Sequence, residues 1–197
     1  MLGGPAFRRV LPVLLALPLS NVACTTFEIA VPAGTSGRFP EYVGGACEAA
    51  AREGVVVRTA ARGLEWQASG PGSVRVTCAK GSVRLSAIPI ARLSIEVESR
   101  LRMRNHTEHT VRARAFGADG RELDLWQVRG EEIVWSAPPS VRLSQPRCGH
   151  MAALCVGFVG NGYLMNAVLV SDAPATLSVT VAGVVGTAMI GPLPAEP

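Results

Sequence analysis

Charge is scarce in this chain of 197 residues: Asp, Glu, Lys and Arg together make up 17%, against 48% hydrophobic residues. Intrinsic disorder needs the reverse balance, so the chain folds. Glycine (21) and proline (14) are too few and too irregularly placed for a collagen-like or low-complexity fibre. A strong excess of one sign is also missing. Lys plus Arg number 19 against 15 Asp plus Glu, and Arg8 and Arg9 fall in a segment expected to be removed, leaving 17 against 15. So small a surplus predicts no nucleic-acid partner. The chain has three His and no Gly-x-Ser-x-Gly elbow, and no Lys-Ser or Lys-Thr follows the glycine-rich Gly157-Phe158-Val159-Gly160-Asn161-Gly162. A hydrolase elbow and a phosphate cradle are thereby excluded, and these glycines read as a turn.

Uninterrupted apolar runs are short. Arg8 and Arg9 precede Val10 to Leu19, ten residues broken by Pro12 and Pro18, and the small and polar Ser20-Asn21-Val22-Ala23 follow. Ten residues of helix rise about 15 Å, roughly half the hydrocarbon thickness of a bilayer, so a cleaved secretory signal over 1–23 is the expectation. The run Leu19-Ser20-Asn21-Val22-Ala23-Cys24 resembles a bacterial lipoprotein signal, whose cleavage leaves Cys as the new N-terminus with lipid on its sulfur. Ala23 fits the small residue that such signals place before the Cys, while Asn21 stands where they favour Leu or a similar apolar residue. The resemblance implies lipidation at Cys24 and a membrane attached through it, each buried methylene contributing about 0.8 kcal/mol. Ordinary secretion fits the same charged and apolar regions.

Taking Cys24 as the anchor leaves Cys47, Cys78, Cys148 and Cys155, an even number suited to an oxidising compartment. Of the three possible pairings, Cys47 with Cys78 and Cys148 with Cys155 keeps each bridge inside one expected domain. A zinc site at Cys148, His150 and Cys155 lacks a fourth ligand nearby in sequence.

The rest reads as strands. From Leu93 to Met103 the odd positions Leu93, Ile95, Val97, Leu101 and Met103 are apolar and the even positions polar, a period of two. Val111, Ala113 and Ala115 alternate with Arg112 and Arg114, and Gly117-Ala118-Asp119-Gly120 supplies a turn before Arg121 to Trp126. Ile133-Val134-Trp135 ends at Ala137-Pro138-Pro139, and Val141-Arg142-Leu143 resumes the alternation. Leu154 to Val170 reads as two core strands about Gly160-Asn161-Gly162, and Thr176 to Ala182 as the closing strand. One short helix is expected at Ala46 to Glu53, with Glu48 and Arg52 at the i,i+4 spacing.

The surroundings of Trp66 recur near Trp135: each Trp is followed by Pro, then Ser-Val-Arg and an aliphatic residue (Val76, Leu143). The two copies lie 69 residues apart, which suggests two small sandwich domains, over 24–90 and 91–185, with a tail at 186–197. In each, the Trp fills the space between sheets and the Pro turn ends its strand at the rim.

Residues 92–183, through Ile95-Glu96-Val97, Val111-Arg112-Ala113-Arg114-Ala115, Asp119-Gly120-Arg121, Val134-Trp135-Ser136, Pro139-Ser140-Val141 and Leu177-Ser178-Val179-Thr180-Val181, resemble a bacterial immunoglobulin-like (Big) domain. That resemblance implies an all-β, Ig-like sandwich used in secreted and surface proteins as a spacer, adhesion or interaction module. The Cys148 to Cys155 insertion departs from the pattern, and the first copy resembles it only around Trp66.

Candidates for chemistry are few. His106-Thr107-Glu108-His109 reads as a polar loop. Cys148, His150, Met151 and Met165 resemble a cupredoxin site in residue type but not in spacing, so they read as a disulfide with Met in the core. A set such as Ser136, His150 and Asp172 has no supporting motif. No catalytic residue, metal or cofactor is expected. Arg100, Arg102 and Arg104, joined by Arg112 and Arg114 on a neighbouring strand, form one charged face. It is either solvated with internal ion pairs to Glu96, Glu98 or Glu108, or a dock for lipid phosphates, acidic glycans or an acidic protein. The expected function is that of a non-enzymatic, exported envelope module with a structural or protein-interaction role and a surface or envelope protein as partner. A glycan- or metal-binding surface protein and a periplasmic chaperone are the alternatives.

Overall fold

The computed structural model describes residues 26–39, 47–48, 51–61, 63–79, 81–103, 106–145 and 161–193. The architecture is nearly all β, with fifteen described strands and two single-turn 3-10 segments. β1 (Thr26–Pro32), β6 (Gly72–Cys78) and β7 (Gly81–Ile88) form one sheet in the order β1-β7-β6, and β1 runs parallel to β7. β2 (Thr35–Arg38), β3 (Ala51–Arg52), β4 (Val55–Ala60) and β5 (Gly63–Ala68) form a second sheet, in the order β2-β5-β4-β3. Val31, Val74, Val76, Val83 and Leu85 from the first sheet and Val55, Val57, Leu64, Trp66 and Ala68 from the second belong to one buried core. Their period-two spacing turns one face of each strand inward.

The remaining strands complete the sandwich architecture. β8 (Arg92–Met103), β9 (His106–Phe116), β13 (Tyr163–Leu169) and β12 (Val141–Ser144) pair in that order, all antiparallel, with the two-residue β10 (Glu122–Leu123) on the end of β9. β11 (Ile133–Ser136), β14 (Ala175–Val181) and β15 (Val184–Ile190) make the facing sheet. With β8, β9, β11, β12, β13, β14 and β15 taken as strands A to G, these are the A-B-E-D and C-F-G sheets of an immunoglobulin constant-type sandwich. Trp135 then lies on strand C, the position at which antibody domains keep their core tryptophan.

The Trp-Pro echo has a structural meaning. Gly70-Pro71 carries the chain from β5 to β6 in the facing sheet, and Pro138-Pro139 carries it from β11 to β12 in the same way. Each crossing leads into a strand that pairs with its successor, β6 with β7 and β12 with β13. There the likeness ends, because β7 next meets a parallel strand, β1, whereas β13 meets an antiparallel one, β9.

Several expectations are corrected. Ala51 and Arg52 belong to β3, so the expected helix does not run to Glu53, and none is seen in the described part of 46–53. The closing strand is β15, not β14, and residues 186–190 of the expected tail are inside it. Ala182-Gly183 makes the two-residue turn between them with φ of 48° and 79°, and Val184, Gly186, Ala188 and Ile190 alternate inward. His106 to His109, expected in a loop, begin β9, with Thr107 and His109 on its buried face. The 1–23 signal, Cys24, Cys148, His150, Met151, Cys155 and the first of the two strands expected in Leu154 to Val170 lie outside the described residues.

Cys47 and Cys78 are joined as expected, with Cα atoms 4.0 Å apart, and Glu48 N–H donates to the Thr77 carbonyl beside them at 3.3 Å. The link fastens the end of β6 to the segment that precedes β3. Among the described residues no helix is long and apolar enough to cross a membrane.

Candidate interaction face and the joint between the halves

The register of β8 against β9 decides which arginines share a face. Ser94 stands opposite Arg114, Glu96 opposite Arg112 and Val97 opposite Val111, but the register shifts between Val97 and Ser99. Glu98 is the extra residue of a bulge, and beyond it Ser99 meets Thr110, Arg100 meets His109, Leu101 meets Glu108 and Arg102 meets Thr107. A slip of one residue exchanges the two faces of a strand. Leu101, on the apolar stripe in sequence, is accordingly 57% exposed, and Arg100 takes a register position beside the buried His109. Among the described residues, Arg100 and Arg102 do not take register positions on the face of Arg112 and Arg114. Arg112 and Arg114 share the outer face, Arg100 and Arg102 take register positions of the opposite one, and Arg104 lies outside the described residues.

Carboxylates already occupy the outer arginines. Arg114 donates to Glu96 at 2.9 Å and to Glu122 at 2.7 Å, and Arg112 lies 3.1 Å from Glu98. The guanidinium of Arg92 lies 4.2 Å from the centre of the Phe116 ring, and that of Arg114 lies 5.1 Å from it. The hydrogen bond to Glu122, seconded by the one to Glu96, strengthens the hold of Arg114 on its proton. A small network of fixed pairs results, with its charge balanced from within.

A second polar cluster joins the two halves. Between β10 and β11 the chain makes two single turns, Leu125–Gln127 and Gly130–Glu132. Asp124 caps the first, accepting from Trp126 N–H at 3.1 Å, and burial pushes its carboxyl up to about 6 against the pull of those hydrogen bonds. This segment lies against the outer edge of β2. Arg129 N–H donates to the Ser36 carbonyl at 2.9 Å, Val128 bridges to Gly37, and the Glu132 carboxylate accepts from both the Ser36 N–H, at 2.6 Å, and the Ser36 hydroxyl. Arg129 and Arg38 share Glu65 at 2.9 and 3.1 Å. Asp124 N–H donates to the Ala30 carbonyl at 2.6 Å, and Arg121 pairs with Glu28 at 3.0 Å. Both backbone groups of Ser36 that point away from β5 are thus satisfied by the other half.

Sequence reasoning missed this joint. Ser36 and Glu132 are 96 residues apart, and nothing in the flanking residues marks either one. His109 was missed differently: read back from Val111, Ala113 and Ala115, the alternation reaches it.

Among the described residues no three His, Cys, Asp or Glu side chains converge. Ser136 is exposed on β11, Asp172 lies in the turn after β13, and Met165 is half-buried opposite Val111. A shallow depression of about 420 Å³ is lined by Arg52, Glu53 and Ser73 beside the Gly70-Pro71 crossing between β5 and β6.

No protein-family model matches the chain. No curated protein matches it either. Among solved structures it is similar to a structure of the surface layer protein SbsC comprising domains 4–9, with 14% identity, 85% of this chain covered and a TM-score of 0.31. This chain spans 30% of the length of that structure. It is also similar to a structure of SbsC domains 5–6, with 14% identity, 84% of this chain and 92% of that one covered, and a TM-score of 0.30. Neither superposition bears on function, and the fold rests on the strand pairing described above.

Proposed function

We propose that the chain is a non-enzymatic envelope module, exported and held to a membrane through lipid on Cys24, that sets the spacing or orientation of a protein partner. The observation that carries this reading is the joint: Ser36, Glu132, Arg129 and Glu65 fix one pair of sheets against the other, as a support element requires. The Cys47–Cys78 link favours an oxidising compartment. In the same reading residues 92–183 are a bacterial immunoglobulin-like (Big) domain, and the outer arginines, engaged with carboxylates, are structural rather than a dock for anions. A chaperone would offer an open edge strand to its client. β8 pairs only with β9 among the described strands, but its bulge and its charges at Arg92, Glu96 and Glu98 protect that edge from further pairing.

The test is isolation of the full-length chain from the membranes of a bacterial host in mild detergent, with intact-mass analysis of the product. The expected result is a blocked, acylated N-terminus at Cys24 and a stoichiometric protein partner. A free, unmodified N-terminus would remove the anchor, and a co-purifying sugar or metal in place of a protein would overturn the support role.

A further inference from the structure

His109 is a buried titratable group that the ion pairs leave unused. Its side chain is fully buried, neither ring nitrogen makes a hydrogen bond of good geometry among the described residues, and the Gly191 backbone is a polar group close enough to favour the charged ring. In the sheet it lies between Arg100 of β8 and Ala167 of β13. The continuation of β15 runs past it: the backbone of Gly191 approaches the ring, and Leu193 N–H donates to Thr107 Oγ1 at 3.4 Å. Arg100 is the charged group that acts on the imidazole, while Ala167 on β13 and Ile190-Gly191-Pro192-Leu193 beyond β15 bring no titratable side chain to it. Among the described residues no carboxylate acts on the ring.

A neutral imidazole is tolerated in such a place. An imidazolium there would be a desolvated cation beside a guanidinium, and opening the structure to water would relieve it. The element best able to open is the end of the C-terminal strand, since β9 is held on both sides by β8 and β13. We propose that His109 is an acid-operated release for this strand end: its protonation lifts residues 190–193 from β9 and admits water to the ring.

Burial first, and Arg100 second, hold the imidazole below its ordinary value of 6.5, and the opposing pull of the Gly191 backbone offsets them only in part. The closed form therefore binds the proton less well than the open form, and its advantage, complete above about pH 6.5, declines as the pH falls. Each pH unit between the closed and open values is worth about a tenfold change in the opening equilibrium.

The experiment is amide hydrogen exchange on the intact protein at pH 7.5 and pH 5, corrected to protection factors, with an NMR titration of the His109 ring. Amides of 188–193 are expected to lose roughly tenfold or more of their protection at pH 5, relative to those of the β9–β13 ladder. His109→Gln, which has no proton to gain, should abolish that loss. Arg100→Gln, a change at an exposed side chain, should shrink it by easing the repulsion, and this variant decides the matter if His109→Gln does not fold. Protection of 188–193 that survives at pH 5, a loss that persists in His109→Gln or is unaltered in Arg100→Gln, or a ring titrating at or above 6.5 would each overturn the proposal.

Discussion

Gly37 on β2 stands directly opposite Trp66 on β5, and the place a Cβ at Gly37 would take is already filled by the indole ring and the Gln127 carbonyl oxygen. The close approach lets the 127–129 segment lie against β2 while Trp66, 2% exposed, fills the core of the first half. Gly37→Ala is therefore expected to destabilise the protein by about 3 kcal/mol, at the upper end of overpacking costs, because one obstacle is backbone and cannot rotate away. Chemical denaturation would show it as a lower midpoint with an unchanged slope, and a shift of under about 0.5 kcal/mol would contradict the packing.

Glu132 is the acceptor for two donors of Ser36. Glu132→Ala leaves a strand-edge N–H without a partner and is expected to cost about 2 kcal/mol, while Glu132→Gln, which keeps one acceptor, costs less. Small-angle scattering should show the halves of the Ala variant sampling a broader range of orientations. Scattering curves that superimpose on the wild type would argue that the other bonds suffice.

The carboxyl of Asp124, pushed up to about 6, titrates above its unfolded value of 3.8, so the folded protein holds this proton more tightly than the unfolded chain. The stability gained from that preference is complete below about pH 3.8 and is lost as the pH rises through 6. Asp124→Asn, which still accepts from Trp126 N–H, is expected to be more stable than the wild type at pH 7.5, with the difference vanishing towards pH 3.5. Unfolding curves at intervals between these values would check it. His109 acts with the opposite sign, so this variant isolates the acidic component.

Replacing Cys47 and Cys78 together by Ser frees a loop of 31 residues' separation. The loop-entropy relation gives a loss of about 3.7 kcal/mol, measurable as a fall of roughly 10 °C in Tm. Native material digested without reductant should yield the Cys47 and Cys78 peptides as one mass.

Much of this fold is legible in the residues because it depends on short-range pattern. The alternation from Leu93 to Val97 and from Val111 to Ala115 marks two strands, Gly117 to Gly120 marks the turn after them, and each Trp-Pro pair marks a passage between sheets. What escaped follows from events that leave no local trace. The bulge at Glu98 uses no glycine, so the arginines beyond it are assigned to the wrong face. Ala182-Gly183 lacks the Asn or Asp that usually announces a two-residue turn, so β15 is mistaken for a tail. The Ser36–Glu132 contact depends on how the segment after β10 meets the edge of β2, which no window of sequence contains.

The way β2 is finished has a consequence for anyone cutting the protein at the seam. Its outward N–H and C=O at Ser36 are completed by residues more than ninety positions downstream, so a fragment stopping at Ala91 would carry a bare strand ready to recruit a neighbouring molecule. Such a truncation should self-associate in proportion to its concentration, and β1 to β15 are best produced as a single piece.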